Sequence, residues 1–124
     1  MGVAIPESMG LGGGGLFMFY NKTTKESYLI DGRETAPKAA HKMMFHNNAS
    51  LSREGPLAIA VPGQLSAYWE LHQRSGRLKW NRLFDGAIRI AKNGFKVSEH
   101  LANAIKLNEK HIRSRPSFRF SNPN

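Results

Sequence analysis

The first part of the chain alternates short apolar runs with a polar turn, which is the pattern of a β-hairpin. The first run, residues 16–20 (LFMFY), has strand length and is rich in aromatic side chains. The second, residues 26–30, alternates around Tyr28 and Ile30. Residues 21–25 (NKTTK) lie between them and predict the turn.

The next stretch predicts one helix and one further strand. Residues 36–45 carry alanines and methionines at helical spacing. Pro37 is acceptable in a first turn, because its missing N–H would be unpaired there in any case. Residues 47–56 are mostly polar and predict a loop. The run 57–61 (LAIAV) has strand length and is ended by Pro62.

The second half of the chain predicts three helices. Apolar positions between 65 and 72 share one helical face, and Gly76 follows that helix. A second stripe spans residues 83–91, with Gly94 as its stop. Ser98 predicts the N-cap of a third helix. That helix presents Leu101, Ile105, Asn108 and Ile112 on one face.

The predicted order of elements is an α+β arrangement of about three strands and four helices. Residues 114–124 show no periodicity and predict a frayed tail. The chain of 124 residues is long enough for one domain of ordinary size. So small a sheet cannot be covered well by these elements, and its edges would be exposed.

Composition excludes several classes of protein. The absence of cysteine rules out a disulfide scaffold and a thiol nucleophile, and no apolar run reaches the ~18 residues of a membrane span. The net charge is +9, and residues 63–124 hold twelve basic against four acidic groups. Nucleic-acid binding needs more than net charge, and these basic residues fall mostly opposite the apolar helix stripes. We therefore expect no nucleic-acid partner.

The glycines and histidines predict packing rather than a cofactor or metal site. A dinucleotide fingerprint needs a strand, then glycines, then a helix. Here the glycines of residues 10–15 precede an apolar run that resembles a strand, so they predict close backbone packing or the approach of another segment. The five histidines lack the spacing of a metal site, and His72 on its apolar helix face predicts a half-buried structural side chain.

Three other residues are candidates for chemistry or modification. Arg33 lies at a strand end, where a guanidinium can hold a carboxylate by two parallel N–H···O bonds. The alternative is an ordinary salt bridge to Glu34. Asn21 and Asn48 begin N-x-S/T sequons in predicted surface turns, which modestly favours a secretory route and N-glycosylation.

Several segments together resemble one family, the γ-glutamyltranspeptidases or glutathione hydrolases. They are residues 8–14 (SMGLGGG), 31–37 (DGRETAP), 60–63 (AVPG), 76–80 (GRLKW) and 91–98 (AKNGFKVS). Their order and spacing are also similar to the early large subunit of that family, from about residue 2 to residue 112. The resemblance identifies residues 1–124 as a piece of the large subunit.

The resemblance implies an N-terminal-nucleophile hydrolase fold, a four-layer αββα sandwich, present here in part. It implies a precursor that cuts itself, so that the new N-terminal Thr of the small subunit attacks the γ-glutamyl amide of glutathione. Water, an amino acid or a dipeptide then resolves the acyl-enzyme. Arg33 occupies the motif position that binds the α-carboxylate of the γ-glutamyl group, and Glu34 supports it. No cofactor or metal is expected.

The same resemblance places the nucleophile outside this segment, so the segment by itself is expected to be inactive. The implied partners are glutathione and other γ-glutamyl compounds, and the small subunit of the same precursor. The parent protein is expected on the outer face of the plasma membrane or secreted, with an anchor or targeting segment that this sequence lacks. A non-catalytic relative with a binding or regulatory role stays open as the alternative.

Overall fold

The computed structural model describes residues 2–115. Nearly all of the predicted tail, from residue 116 onward, lies outside the described residues. The chain divides into two compact parts, residues 10–83 and residues 2–9 together with the segment from residue 84. Each part is considered by itself.

The predicted hairpin is confirmed. Strand β1 (Gly15–Asn21) pairs antiparallel with strand β2 (Glu26–Gly32), and Phe17 lies opposite Ile30 in the register. The turn between the strands is fixed by the side chain of Asn21, which accepts backbone N–H groups from the turn. The sequence pattern placed this hairpin correctly because both strands and their turn are close together along the chain.

Helix α1 (Gln64–Ser75) packs on one face of the hairpin. The ring of Phe17 meets that of Tyr68 edge to face, with centroids 5.1 Å apart. Near the other end, the hydroxyls of Tyr28 and Ser75 lie 3.0 Å apart. The opposite face of the hairpin carries the exposed side chains Leu16, Met18, Tyr20 and Leu29.

The closest approach between sheet and helix is at Gly32, the last residue of β2. Gly32 is buried, and a Cβ atom placed on it would collide with the Cβ of Ala67 and lie 2.9 Å from the ring of Phe17. Ala67 itself is only 3% exposed. Two small residues therefore let α1 lie against the end of the sheet.

The predicted helix over residues 36–45 is wrong. The segment forms separate turns, in which Ala40 donates to the carbonyl of Pro37 and Met44 to that of His41. Each bond spans three residues rather than the four of an α-helix. A helix this short depends on packing of its apolar face, and the methionines and alanines here are exposed or only half-buried.

The predicted strand over residues 57–61 is also wrong. Its start lies in a short 3-10 helix, Pro56–Ala58, and only Val61 pairs, through an isolated bridge with Thr35. Ile59 is 65% exposed. A strand needs a hydrogen-bonded neighbour along its length, and the apolar run here pairs with another segment at one residue. The predicted loop before it holds a second short 3-10 helix, Ala49–Ser52.

The helical predictions for the second half are confirmed. Helix α2 (Asp85–Asn93) ends at Gly94, which has a positive φ of 78°. Helix α3 (Glu99–Ser114) begins at Ser98, whose hydroxyl accepts the backbone N–H of Leu101 at 3.1 Å. The described residues thus hold two strands and three α-helices, fewer than the three and four predicted, in a mixed α and β arrangement.

Candidate functional site

The chain leaves β2 through a tight turn that carries Arg33. The carboxylate of Asp31 accepts the backbone N–H of Arg33 at 2.9 Å. A short acidic side chain that accepts the N–H two residues onward forms an Asx turn, which fixes the backbone locally. This role of Asp31 was not predicted, although an Asp followed by Gly at a strand end is a sequence signal for such a turn.

The guanidinium of Arg33 forms the salt bridge that was the simpler alternative. Its Nη2 lies 3.2 Å from Oε2 of Glu34. The Arg33 side chain is nevertheless 61% exposed, against 26% for Glu34. A guanidinium has five N–H donors, so one ion pair leaves it able to hold a second anion. The salt bridge and a ligand role are therefore compatible.

The glycine-rich segment lies against the carboxylate of Glu34. A Cβ atom placed on Gly13 would lie 3.6 Å from Oε1 of Glu34, and one on Gly14 would lie 2.9 Å from Oε2. The segment therefore brings its backbone close to another segment, as its composition predicted. It also confines the carboxylate that pairs with Arg33.

A third segment completes this part of the molecule, at the start of α1. Thr35 and Val61 exchange two backbone hydrogen bonds, of 3.2 and 2.9 Å. The carbonyl of Gly13 accepts the N–H groups of both Gly63 and Gln64, at 3.2 and 3.1 Å. Backbone bonds thus join the glycine segment to the start of α1, and Thr35, just after the Arg33 turn, to the segment that leads into α1.

Gln64 is the buried polar side chain of this region. It is 5% exposed and donates its side-chain N–H to the hydroxyl of Tyr68 at 2.6 Å. Burying an amide is costly unless it is hydrogen-bonded, and this bond meets that requirement. Because Tyr68 in turn packs on Phe17, Gln64 connects the start of α1 to the hairpin.

His72 is half-buried, as predicted, and forms part of an aromatic cluster. Its Nε2 lies 2.8 Å from the carbonyl of Leu78, and a carbonyl can only accept, so Nε2 carries the proton. The ring stacks on Trp69 and meets Trp80 edge to face. His72 therefore stabilises the packing of the segment after α1 against that helix. The periodicity of α1 did not reveal the partnership with Trp80, which lies beyond the helix.

The two sequon asparagines lie at the ends of elements: Asn21 is the last residue of β1, and Asn48 caps the 3-10 helix Ala49–Ser52. Asn21 accepts the N–H of Thr23 at 2.9 Å, and Asn48 accepts that of Ser50 at 3.0 Å. Asn48 is exposed and Asn21 is half-buried. The hydroxyl residue of the first sequon, Thr23, lies in the hairpin turn, and that of the second, Ser50, lies in the 3-10 helix.

The remaining polar chemistry of the described part of the chain is dispersed. Over residues 2–115 no three His, Asp or Glu side chains come together as metal ligands. The basic residues of α2 and α3 are exposed on the helix surfaces. No helix within that range is both long enough and apolar enough to cross a lipid bilayer.

Solved structures define the class of fold. The chain superposes on γ-glutamyltranspeptidase from Helicobacter pylori with a TM-score of 0.84 and 30% identity, covering 94% of this chain and 35% of that one. A γ-glutamyltranspeptidase from Pseudomonas nitroreducens, solved in complex with L-DON, gives 0.74 and 40% identity over 88% of this chain and 35% of that chain. The class is the N-terminal-nucleophile hydrolase fold, of which this chain is a part.

Sequence comparison then gives the family. The γ-glutamyltranspeptidase family model matches residues 1–122. The chain is 43% identical to scoloptoxin SSD14 of Scolopendra dehaani over 99% of its length, and 39% identical to glutathione hydrolase 3 of Arabidopsis thaliana over 96%. It spans 22% and 19% of those two relatives. This chain belongs to the γ-glutamyltranspeptidase family.

Proposed function

We propose that the protein carrying this chain hydrolyses glutathione and transfers its γ-glutamyl group, and that Arg33 binds the α-carboxylate of that group. The observation that carries this proposal is the geometry of the 31–37 motif. Its arginine stands at a strand end, held at the backbone by Asp31 and at one nitrogen by Glu34, with most of its side chain exposed.

Arg33 suits a carboxylate because the planar guanidinium offers parallel N–H donors that match two carboxylate oxygens. Glu34 contributes by orientation. Its carboxylate holds Nη2, which restricts rotation of the guanidinium and lowers the entropy lost when the substrate binds. Neither residue takes part in bond cleavage; in this proposal Arg33 holds the γ-glutamyl group and Glu34 orients Arg33.

The bond-breaking step belongs to a small subunit cut from the same precursor. Its N-terminal Thr would attack the γ-glutamyl amide through its hydroxyl, with the α-amine of the same residue taking the proton. The α-ammonium would return this proton to the leaving nitrogen as the C–N bond breaks, and water or an amino-acid acceptor would then cleave the ester formed on the Thr hydroxyl and release the γ-glutamyl group. Relatives named as glutathione hydrolase proenzymes, in fission yeast and mouse, support a precursor of this kind.

The test begins with the longest protein translated from the transcript that encodes this chain. Replacing Arg33 by Ala should raise the KM for glutathione about a hundredfold, since losing a charge-assisted hydrogen-bonded pair costs about 3 kcal/mol. Arg33→Lys keeps the charge without the fork and should recover only part of the loss. Arg53→Ala, at an exposed position in another loop, is the matched control. An unchanged KM for Arg33→Ala would rule out the carboxylate role.

A non-catalytic relative is the second candidate, because the chain is similar to a protein named as a scoloptoxin as well as to proteins named as hydrolases. The translated sequence separates the two. A Thr at the start of a second subunit supports the enzyme, and its replacement by another residue supports the binding or regulatory protein.

N-linked glycans on Asn21 and Asn48 form part of the proposal, together with secretion or display on the outer face of the plasma membrane. Asn48 is exposed and Asn21 borders the exposed hairpin turn, which supports it because a bulky glycan needs a surface site. Treating the protein secreted by its own cells with an endoglycosidase should lower its mass by two glycans. Asn21→Gln and Asn48→Gln should each remove one glycan, and an unchanged mass would reject modification at that position.

A further inference from the structure

Two segments closely approach the peptide unit between Gly32 and Arg33, and in each the residue of closest approach is a glycine. A Cβ atom on Gly14 would collide with the carbonyl oxygen of Gly32 and lie 3.0 Å from the Cα of Arg33. A Cβ atom on Gly63 would collide with that same oxygen and lie 2.8 Å from the carbonyl oxygen of Arg33. These atoms are backbone, which cannot move aside as a flexible side chain can; a Cβ on Gly14 would in addition meet the side-chain Oε2 of Glu34 at 2.9 Å.

The two closing segments are also bonded to each other. The carbonyl of Gly13 accepts N–H groups from Gly63 and Gln64, the residues at the start of α1. Beyond the Arg33 turn, Thr35 pairs with Val61 through two backbone bonds. The Gly32–Arg33 peptide therefore lies against two backbone segments that are hydrogen-bonded to each other.

We propose, on the basis of the proposed function of Arg33, that Gly14 and Gly63 are positioning residues for recognition of the substrate α-carboxylate. Neither touches the substrate. Each glycine positions the Arg33 backbone, because its segment approaches the Gly32–Arg33 peptide more closely than any side chain at that residue would allow.

The consequence for binding follows from geometry. An added methyl group at residue 14 or 63 moves the Gly32–Arg33 peptide, and the guanidinium moves with its Cα. A bidentate pair depends on both N–H···O bonds being in place, and displacements of about 1 Å in positioning groups can cost on the order of a hundredfold in rate. The loss should concern substrates that present the α-carboxylate.

Two substrates isolate that effect: γ-glutamyl-p-nitroanilide and 4-aminobutyryl-p-nitroanilide, which lacks only the α-carboxylate. The measured quantity is the ratio of their kcat/KM values in the full translated protein. Gly14→Ala and Gly63→Ala should each lower this ratio about tenfold or more, mainly through the KM of the γ-glutamyl substrate. Gly12→Ala is the matched control within the same glycine segment, because a Cβ there meets nothing within 4 Å, and it should leave the ratio unchanged.

A variant that merely folds less well loses activity equally on both substrates and keeps the ratio. That result would overturn the inference. The inference would also fail if neither the Gly14→Ala nor the Gly63→Ala protein accumulates while the Gly12→Ala protein does. The two glycines would then be needed for folding of the whole protein. Arg33→Ala separates this inference from the function beneath it. If Arg33→Ala collapses the ratio and the glycine variants do not, only the positioning role fails; if Arg33→Ala leaves the ratio intact, the proposed function fails.

Discussion

Residues 10–83 and residues 84–115 are organised by different kinds of contact. In the first region backbone bonds join the glycine segment to α1, and Thr35 to Val61, across wide gaps in sequence. In the second, most side-chain bonds of α3 join residues three or four positions apart, such as Asn108 with the carbonyl of Ala104; the contact of His100 with Glu7, at 3.6 Å, is an exception. The first region depends on several segments meeting, and α3 is stabilised to a large extent within itself.

The net charge and the candidate site also lie in different parts of the chain. Most of the net positive charge lies in residues 63–124, whereas the arginine of the candidate site lies in the nearly neutral first half. On α3, Arg113 pairs with Glu109 one turn away at 2.7 Å, with both side chains largely exposed. Such pairs have little effect on stability and indicate no ligand. The net charge therefore pointed to the half of the chain that does not hold the candidate site.

The largest expected contrast between the regions is between two glycines. Gly32→Ala should destabilise the sheet end by about 2–3 kcal/mol, because the new methyl group overlaps Ala67. Gly86→Ala in α2, where a Cβ meets nothing within 4 Å, should instead stabilise its helix by about 0.5–1 kcal/mol. Amide hydrogen exchange measured peptide by peptide reports both. Equal effects of the two substitutions would contradict the proposed difference in packing.

The cap of α3 gives the next largest effect. Ser98→Ala removes the acceptor for the N–H of Leu101 and should cost about 1 kcal/mol, seen as faster exchange in the first turn of α3. Ser98→Asp supplies an equivalent acceptor and should restore slow exchange. Exchange over residues 10–14 should not change in either variant, and if it slowed or accelerated with the cap, α3 would not be locally stabilised.

The sequence predicted those elements whose signals are local. The hairpin follows from two apolar runs and a turn, and α3 follows from its stripe and from Ser98. The two wrong predictions, residues 36–45 and 57–61, are segments whose state depends on a distant partner. An apolar run of five residues has the same pattern whether it joins a sheet or, as here, contributes one bridge residue at Val61.

The candidate site divides in the same way. Arg33 and Glu34 could be selected from their motif, and the Asx turn of Asp31 could have been, because it lies within three residues. Gly14 lies next to the Gly32–Arg33 peptide because it precedes β1, whose first residue Gly15 pairs with Gly32. Nothing in the sequence pairs Gly63 with that peptide, since its closeness comes from the packing of α1 on the hairpin. Glycine content predicted that some close approach exists, and the fold determines where it is.

A smaller effect tests the contact between β2 and α1. Tyr28→Phe removes the hydroxyl that lies 3.0 Å from Ser75 and keeps the ring that packs on Phe19 and under Arg74. The expected cost is about 0.5 kcal/mol, at the low end for a hydrogen bond because the pair is exposed. Exchange at the C-terminal turn of α1 should become faster. Tyr20→Phe, on the exposed face of the hairpin, is the control and should leave that exchange unchanged.

The smallest effect expected is that of the ion pair on α3. Glu109→Gln removes the charge facing Arg113 and should cost about 0.3 kcal/mol in dilute buffer, the usual contribution of an exposed pair one helical turn apart. Salt should abolish the difference, because the screening length falls to about 3 Å at 1 M. The equivalent change on α1, Glu70→Gln, removes a similar pair with Arg74. Arg74, however, also lies 5.0 Å from the ring centroid of Tyr28, so its side chain stays anchored on β2 when the pair is lost. Because salt screens the Glu109–Arg113 pair, Glu109→Gln should accelerate exchange in α3 in low salt only. Faster exchange that persists in 1 M salt would mean that Glu109 has a further stabilising contact besides Arg113.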